Sequence, residues 1–421
     1  MLQYDSTHTL VPNGRRAFFA LRNLLGAGCF CLLGASLAQA AAPAPRTFLV
    51  LPGQYVRMRE EIAAQSLADW KKSSSEALRS SAEKTLSEGP WSVMEKPDRQ
   101  IAPSGDKHDY VSMSSYWWPG ADGAYEWRDG KINPEMVFQD EKALGDLMGA
   151  LKILGPAGYL LKDDRYTDRA IFLVNRWFLD PATRMNPNLN YAAGIPGQAS
   201  GRGFGLHRMK EMPAFVDILG LLATSPHWTA EQDAGMKAWV AQYLRWAATN
   251  ELGLQEKSQP NNHSVYYGAH VLAAALYVND KPLIHEFSQE FFQTHLIKQI
   301  APDGELPEEM KRTRPYNYTI YTLTGFCHYA ELARSLGLDY YNYRGPDGQT
   351  LKKAFEKIVP FLRGDVPSPR PEEEAMRLSR VLTTCRLAAI RCELPFMESY
   401  LQEKFPKWTT DQRNLVWPPA R

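Results

Sequence analysis

The stretch Glu141-Lys142-Ala143-Leu144-Gly145-Asp146-Leu147-Met148-Gly149-Ala150-Leu151-Lys152-Ile153-Leu154 decides the fold. Leucines recur at 144, 147, 151 and 154, the spacing that lines one face of an α-helix. Helical patterning continues over 168–178, 211–222, 229–248, 264–277, 282–297, 318–336, 351–362 and 370–392. Upstream, 56–87 is rich in Ala, Glu, Lys, Leu and Arg, with a serine break near 73–75. The pattern gives about ten helices, most about 10–20 residues long. No convincing hairpin and no alternating β–α order is apparent. Some connections are short; those at 103–134 and 186–207 are long and rich in Gly, Pro, Asn and aromatics. Long ordered loops on a helical scaffold are usually functional. Antiparallel helices with one loop-rich end predict an all-α protein, an α/α toroid or incomplete α/α barrel. No linker or composition break divides the chain, so 41–421 is read as one domain.

The 421 residues are 44% hydrophobic and 23% charged, as in a packed soluble protein. A net charge of +1 gives no global reason to expect nucleic-acid binding. An anionic ligand therefore needs a local basic patch. The N-terminus reads as an export signal over 1–40. Arg15, Arg16 and Arg22 precede an apolar run at 24–37, and Ala38-Gln39-Ala40 is a small-x-small cleavage site. The apolar run is short for a membrane span, so no stable membrane insertion is expected after cleavage, and the location is periplasmic or secreted. Cys29 and Cys31 lie in the signal. Cys327, Cys385 and Cys392 lack CxxC spacing and are read as core thiols.

Four segments carry chemistry. The first, 107–119, ends in Tyr116-Trp117-Trp118-Pro119, aromatics suited to stacking on sugar rings or to plugging helix ends. The second, from Asn190-Tyr191 through Gly201-Arg202-Gly203 towards His207, has glycines that permit close approach of a ligand. Arg202 is a candidate carboxylate clamp or a bracket for loop carbonyls. The third is Gln259-Pro260-Asn261-Asn262-His263-Ser264, placed where a helix N-terminus attracts anions, with Asn261 also a possible N-cap. The fourth, 303–318, sets Lys311, Arg312 and Arg314 beside Tyr316 and Tyr318, where cations would favour phenolate.

Taken in order, these segments resemble the alginate-lyase family of helical polysaccharide lyases, over about 108–336. The resemblance implies an α/α toroid with a cleft, β-elimination on an anionic uronate polysaccharide, and no obligatory redox cofactor. Elimination removes the C5 proton of a uronate and expels the C4 oxygen. The neighbouring carboxylate must be neutralised while an enolate develops. Asn262 and His263 are the expected donors, with Arg202, Arg312 or Arg314 supplying charge. Tyr318 is the expected base, and also the acid where elimination is syn; Tyr316 and Tyr321 stand behind it. Tyr116, Trp117, Trp118, Tyr191, Arg202, His207, Asn261 and Tyr316 are the expected substrate-binding residues. No metal site or cofactor is expected: there is no HExxH, and His263 and His270 are two turns apart. The competing readings are a glycoside hydrolase on a similar toroid and a non-catalytic periplasmic glycan-binding protein. The hydrolase needs two carboxylates about 5–10 Å apart, which adjacent Glu308 and Glu309 do not supply.

Overall fold

A computed structural model describes residues 44–371 and 373–420; the export signal read at 1–40 lies outside them. In chain order the helices are α1 (Pro52–Ala63), α2 (Asp69–Thr85), α3 (Gln139–Leu161), α4 (Asp164–Val174), α5 (Met212–Leu222), α6 (Ala230–Thr249) and α7 (Glu251–Lys257). They continue as α8 (Asn262–Val278), α9 (Lys281–His285), α10 (Pro307–Met310), α11 (Pro315–Arg334), α12 (Leu351–Arg363), α13 (Leu378–Arg391) and α14 (Pro395–Lys404). The strands are β1 (Val111–Met113), β2 (Trp117–Pro119), β3 (Tyr125–Trp127) and β4 (Tyr191–Gly194). Strand accounts for 4% against 61% helix, which excludes a central sheet among the described residues.

Helices pack on near neighbours in the chain. α3 meets α4 and α5, α8 meets α5, α6 and α11, and α11 meets α12 and α13. This succession is the α/α toroid. Its long inner member is α8, where every residue from Ser264 to Tyr277 is buried. A helix apolar on all sides belongs inside. Its small residues let neighbours close in: a Cβ on Gly268 would sit 2.6 Å from the Phe291 ring. The buried hydrophobic cluster runs from Leu49 to Trp417, and Cys327, Cys385 and Cys392 are unpaired within it.

Three local readings change. The serines at 73–75 do not break α2. Ser74 and Ser75 are buried, and the Ser74 hydroxyl donates to the Thr409 carbonyl at 3.1 Å and accepts from Asn414 Nδ2 at 2.8 Å. The break falls earlier, after Ala63, where Gln65 takes φ 53°. The helix expected from 370 begins only at Leu378, because Pro367, Pro369 and Pro371 remove donors before it. A small hairpin also exists: β2 and β3 pair antiparallel around Asp122-Gly123, with Gly123 at φ +83°. Its strands are too short to show alternation in sequence.

The start of the described chain is held by one buried carboxylate. Asp217, on α5, accepts the backbone N–H groups of Phe48 (2.6 Å), Leu49 (3.1 Å) and Val50 (2.8 Å). Burial pushes its carboxyl up to about 7, against the pull of those donors. Asp217→Ala would leave three N–H groups without their acceptor. We expect a loss of about 3 kcal/mol or more in urea unfolding; an unchanged midpoint would show that water replaces the carboxylate.

Candidate active site

Two of the four segments are joined by backbone pairing. β1 runs parallel to β4, with Val111 opposite Tyr191 and Met113 opposite Gly194. Ser112 Oγ accepts the Ala193 N–H at 3.1 Å, and Ser114 Oγ donates to the Ala193 carbonyl at 2.9 Å. Gly201 is required at this crossing, since a Cβ there would lie 1.9 Å from the Asn190 oxygen. Beneath, the buried Lys96 ammonium pairs with Asp140 at 2.8 Å and donates to the carbonyls of Lys107 (2.8 Å) and Asp109 (2.5 Å). Asp140 in turn accepts the Val111 N–H at 2.9 Å. The aromatic loop is thereby fixed to α3.

The hairpin places Trp117 opposite Trp127, which is 52% exposed. The Arg202 guanidinium lies 5.7 Å from the Trp117 ring centroid and 4.5 Å from that of Phe204. Phe204 meets the His263 ring edge-on at 4.4 Å, and His263 lies 4.9 Å from the His207 ring. His207 Nε2 is 2.5 Å from the Tyr321 hydroxyl, to which Lys210 Nζ donates at 3.1 Å. One helical turn earlier on α11, the Tyr318 hydroxyl is 3.2 Å from that of Tyr116. Trp117, Arg202, His263 and the α11 tyrosines thus form one connected group, drawn from four distant stretches of chain.

The α8 N-terminus already holds an anion of the protein itself. Glu309, buried on α10, accepts the Asn262 backbone N–H at 2.8 Å, Asn262 Nδ2 at 3.0 Å and the Thr322 hydroxyl at 2.7 Å. One hydrogen of the Asn262 amide is therefore committed inward. Asn261 caps the helix, accepting the His263 N–H at 3.2 Å. His263 Nδ1 is 2.7 Å from Oε1 of the buried Glu256, which orients the ring.

A family model described as alginate lyase matches residues 92–367. A solved alginate lyase from Bacteroides ovatus is 30% identical, with a TM-score of 0.82 over 89% of this chain and all of that one. The chain belongs to the alginate lyase family. It is a polysaccharide lyase, that is, a carbon–oxygen lyase. Alginate lyase A1-III from Sphingomonas species A1 shares the fold at 14% identity, with a TM-score of 0.54 over 91% of this chain and 98% of that one. A variant of A1-III complexed with a tetrasaccharide gives a TM-score of 0.55 at 15% identity, over 91% of this chain and 98% of that one. A search of the curated proteins finds no match.

The other expected site residues of this polysaccharide lyase have partners within the protein. Arg314 pairs with Glu374 at 2.9 Å. Tyr316 stacks on Phe361 at 4.1 Å between centroids. Pro315, between them, starts α11, with Arg314 as its N-cap. Asn261 acts as a cap, its oxygen engaged by backbone. Trp118 faces the other side of its strand, its indole N–H on the Lys131 carbonyl at 3.0 Å and Arg128 5.5 Å from its ring. Tyr191 is half-buried on β4, with Val111 opposite it on β1. Arg312 stacks 3.7 Å from the Tyr318 ring centroid but is also clamped by Asp129, with Nη2 to Oδ1 at 2.6 Å. Burial raises the Tyr318 phenol above its ordinary value, outweighing Arg312, so the expected lowering does not occur. Burial likewise holds His207 well below the usual imidazole range, with His263 adding to the effect.

Residues that the sequence did not single out include Trp127, Phe204 and Lys210. Lys210 was legible in principle, three residues after His207 on the same turn. Removing the buried Glu309 acceptor tests how the α8 N-terminus is held. Glu309→Gln should cost about 2 kcal/mol and Glu309→Ala about 4 kcal/mol in denaturant unfolding. Equal, small losses would mean that the three donors find other acceptors.

Proposed function

We propose that this lyase cleaves a uronic-acid polymer, alginate or a glucuronate-containing glycan, by β-elimination within one catalytic domain spanning 41–421. The carrying observation is the Arg202 guanidinium, half-buried and without a salt-bridge partner among the described residues, packed on Trp117 and on Phe204, whose ring meets His263. Burial also lowers its pKa, the mark of a desolvated cation that gains by meeting a carboxylate. Arg312 and Arg314 already have acidic partners.

In this reading Arg202, His263 and the remaining hydrogen of the Asn262 amide hold the uronate carboxylate. His207 lies beside them as an orienting group. Trp117, Trp127 and Tyr116 line the sugar path. The Tyr321 oxygen, as a phenolate receiving hydrogen bonds from the Lys210 ammonium and His207, takes the C5 proton. Lys210 is itself held protonated chiefly by the Tyr321 oxygen. Tyr318 keeps its proton because it is buried, and delivers it to the C4 oxygen as that bond breaks. The electron pair left at C5 becomes the C4–C5 double bond of an unsaturated uronate. Tyr318 moves from the expected base to acid, and Tyr321 takes its former role.

The hydrolase reading loses support because the nearby carboxylates are committed. Glu309 lies under Asn262, Asp129 clamps Arg312, and Glu256 orients His263. The tetrasaccharide held by the A1-III variant supports a saccharide ligand over other polyanions. The N-terminal pattern supports action in the periplasm or outside the cell. No helix among the described residues is long and apolar enough to cross a membrane.

The test is ultraviolet absorbance of unsaturated product from polymannuronate, polyguluronate, glucuronan and glycosaminoglycans. No absorbance with any of them, alongside tight binding, would favour the glycan-binding reading. With the best polymer, Tyr321→Phe and Tyr318→Phe should each lower kcat by about 10²–10⁴-fold with KM little changed. His263→Ala should also be severe. Arg202→Ala should raise KM and lower kcat, whereas Arg314→Ala stays near the parent rate. A Tyr321→Phe enzyme at full speed would return the base role to Tyr318.

A further inference from the structure

His207, Glu256 and His263 come from three separate elements: the turn at 203–209, α7 and the first turn of α8. One ligand-type atom from each lies within 4.8 Å of the other two. Two further observations point to a missing partner. His207 Nδ1 and Glu256 Oε2 are both buried and make no hydrogen bond. Buried polar atoms in native proteins almost always have partners. The rest of each side chain is already used: His207 Nε2 lies at Tyr321, and Glu256 Oε1 at His263 Nδ1.

We propose that His207, Glu256 and His263 bind a divalent transition-metal ion of the zinc class. Two imidazoles and one carboxylate are a donor set for zinc and its neighbours, whereas calcium and magnesium take oxygen ligands. Three protein ligands leave a further position open, as in sites that admit a substrate group or water. The tautomer is consistent: with its hydrogen on Nε2, directed at the Tyr321 oxygen, His207 offers the lone pair of Nδ1 to the ion. A metal-bound histidine commonly donates its second N–H in this way. Glu256 offers Oε2 while keeping its place in the wall. His263 completes the set as the second imidazole. The ion would polarise His207 and strengthen its N–H donation to Tyr321. The site would then join a metal centre to the phenol network.

The proposal rests on the geometry of the trio and not on which polymer is cleaved, so it is read without polysaccharide. The full chain, stripped with a chelator, is titrated calorimetrically with zinc(II) alone and followed in the visible with cobalt(II) alone. One ion per chain is expected, with cobalt d–d bands of a low-coordinate nitrogen and oxygen site. Glu256→Gln keeps the shape of the side chain and should weaken zinc binding by more than about tenfold. His207→Ala should weaken it at least as much, and His227→Ala, on the exposed surface, should leave it unchanged. Zinc should also raise the Tm of the parent chain but not of Glu256→Gln, so a His207→Ala chain that fails to fold does not block the decision. Lack of stoichiometric zinc or cobalt binding by the parent overturns the proposal. So does binding that survives both substitutions. Loss of elimination with zinc binding intact would count against the catalytic reading and leave the metal site standing.

Discussion

Glu309 is a carboxylate sealed at the mouth of a helix that has no solvent face. The first turn of α8 has backbone N–H groups that the helix cannot satisfy internally. Glu309 supplies an acceptor from α10, and the Thr322 hydroxyl brings α11 to the same oxygen. Three helices are thereby referenced to one point, and the site's groups hang from it. His263 follows directly on α8, and Tyr318 and Tyr321 lie within the turn before Thr322 on α11. A charge-assisted contact of this kind is strong where water is excluded. It also means that the helix's attraction for anions is already met within the protein, so the site must draw its positive charge from elsewhere.

That charge is sorted by pairing more than by number. Arg312 faces Asp129 and Arg314 faces Glu374, and a guanidinium with a carboxylate at hydrogen-bond distance has little left for a ligand. Arg202 has aromatic faces and the Ser114 hydroxyl at 3.5 Å instead. Aromatic rings hold a cation without neutralising it. In a chain with a net charge of only +1, one half-buried cation without a salt-bridge partner among the described residues is a strong local signal.

The fold was legible because amphipathic periodicity is a local property. Leu144, Leu147, Leu151 and Leu154 are all buried on α3, as their spacing requires. The four chemical segments were legible because aromatics, glycines and arginines are dense within short windows. What stayed hidden depends on pairing across the chain. Asp129 is 183 residues from Arg312, and Glu374 is 60 from Arg314, so sequence treats all three arginines alike. The lowered phenol expected at Tyr318 left burial out: Arg312, near it in sequence, argued for lowering, and desolvation outweighs that cation. The trio at His207, Glu256 and His263 has no motif spacing to betray it. It exists only because the 203–209 turn lies against α7 and α8.

Close packing explains why the loops can be long and still exact in their placement. The aromatic segment is held below by Lys96 and Asp140, whose charges are buried together, and at its end by the parallel pairing of β1 with β4. Burying such a pair gains little net stability, because desolvation offsets most of the attraction. What the pair does supply is direction. Lys96 satisfies two loop carbonyls, and Asp140 satisfies the Val111 N–H, so few other arrangements of 107–111 meet the same requirements. The exposed Trp127 then extends from a hairpin whose base is fixed, while its tip carries only surface contacts. A rigid base with an open tip suits the binding of a polysaccharide, whose length must be accommodated while its placement stays fixed.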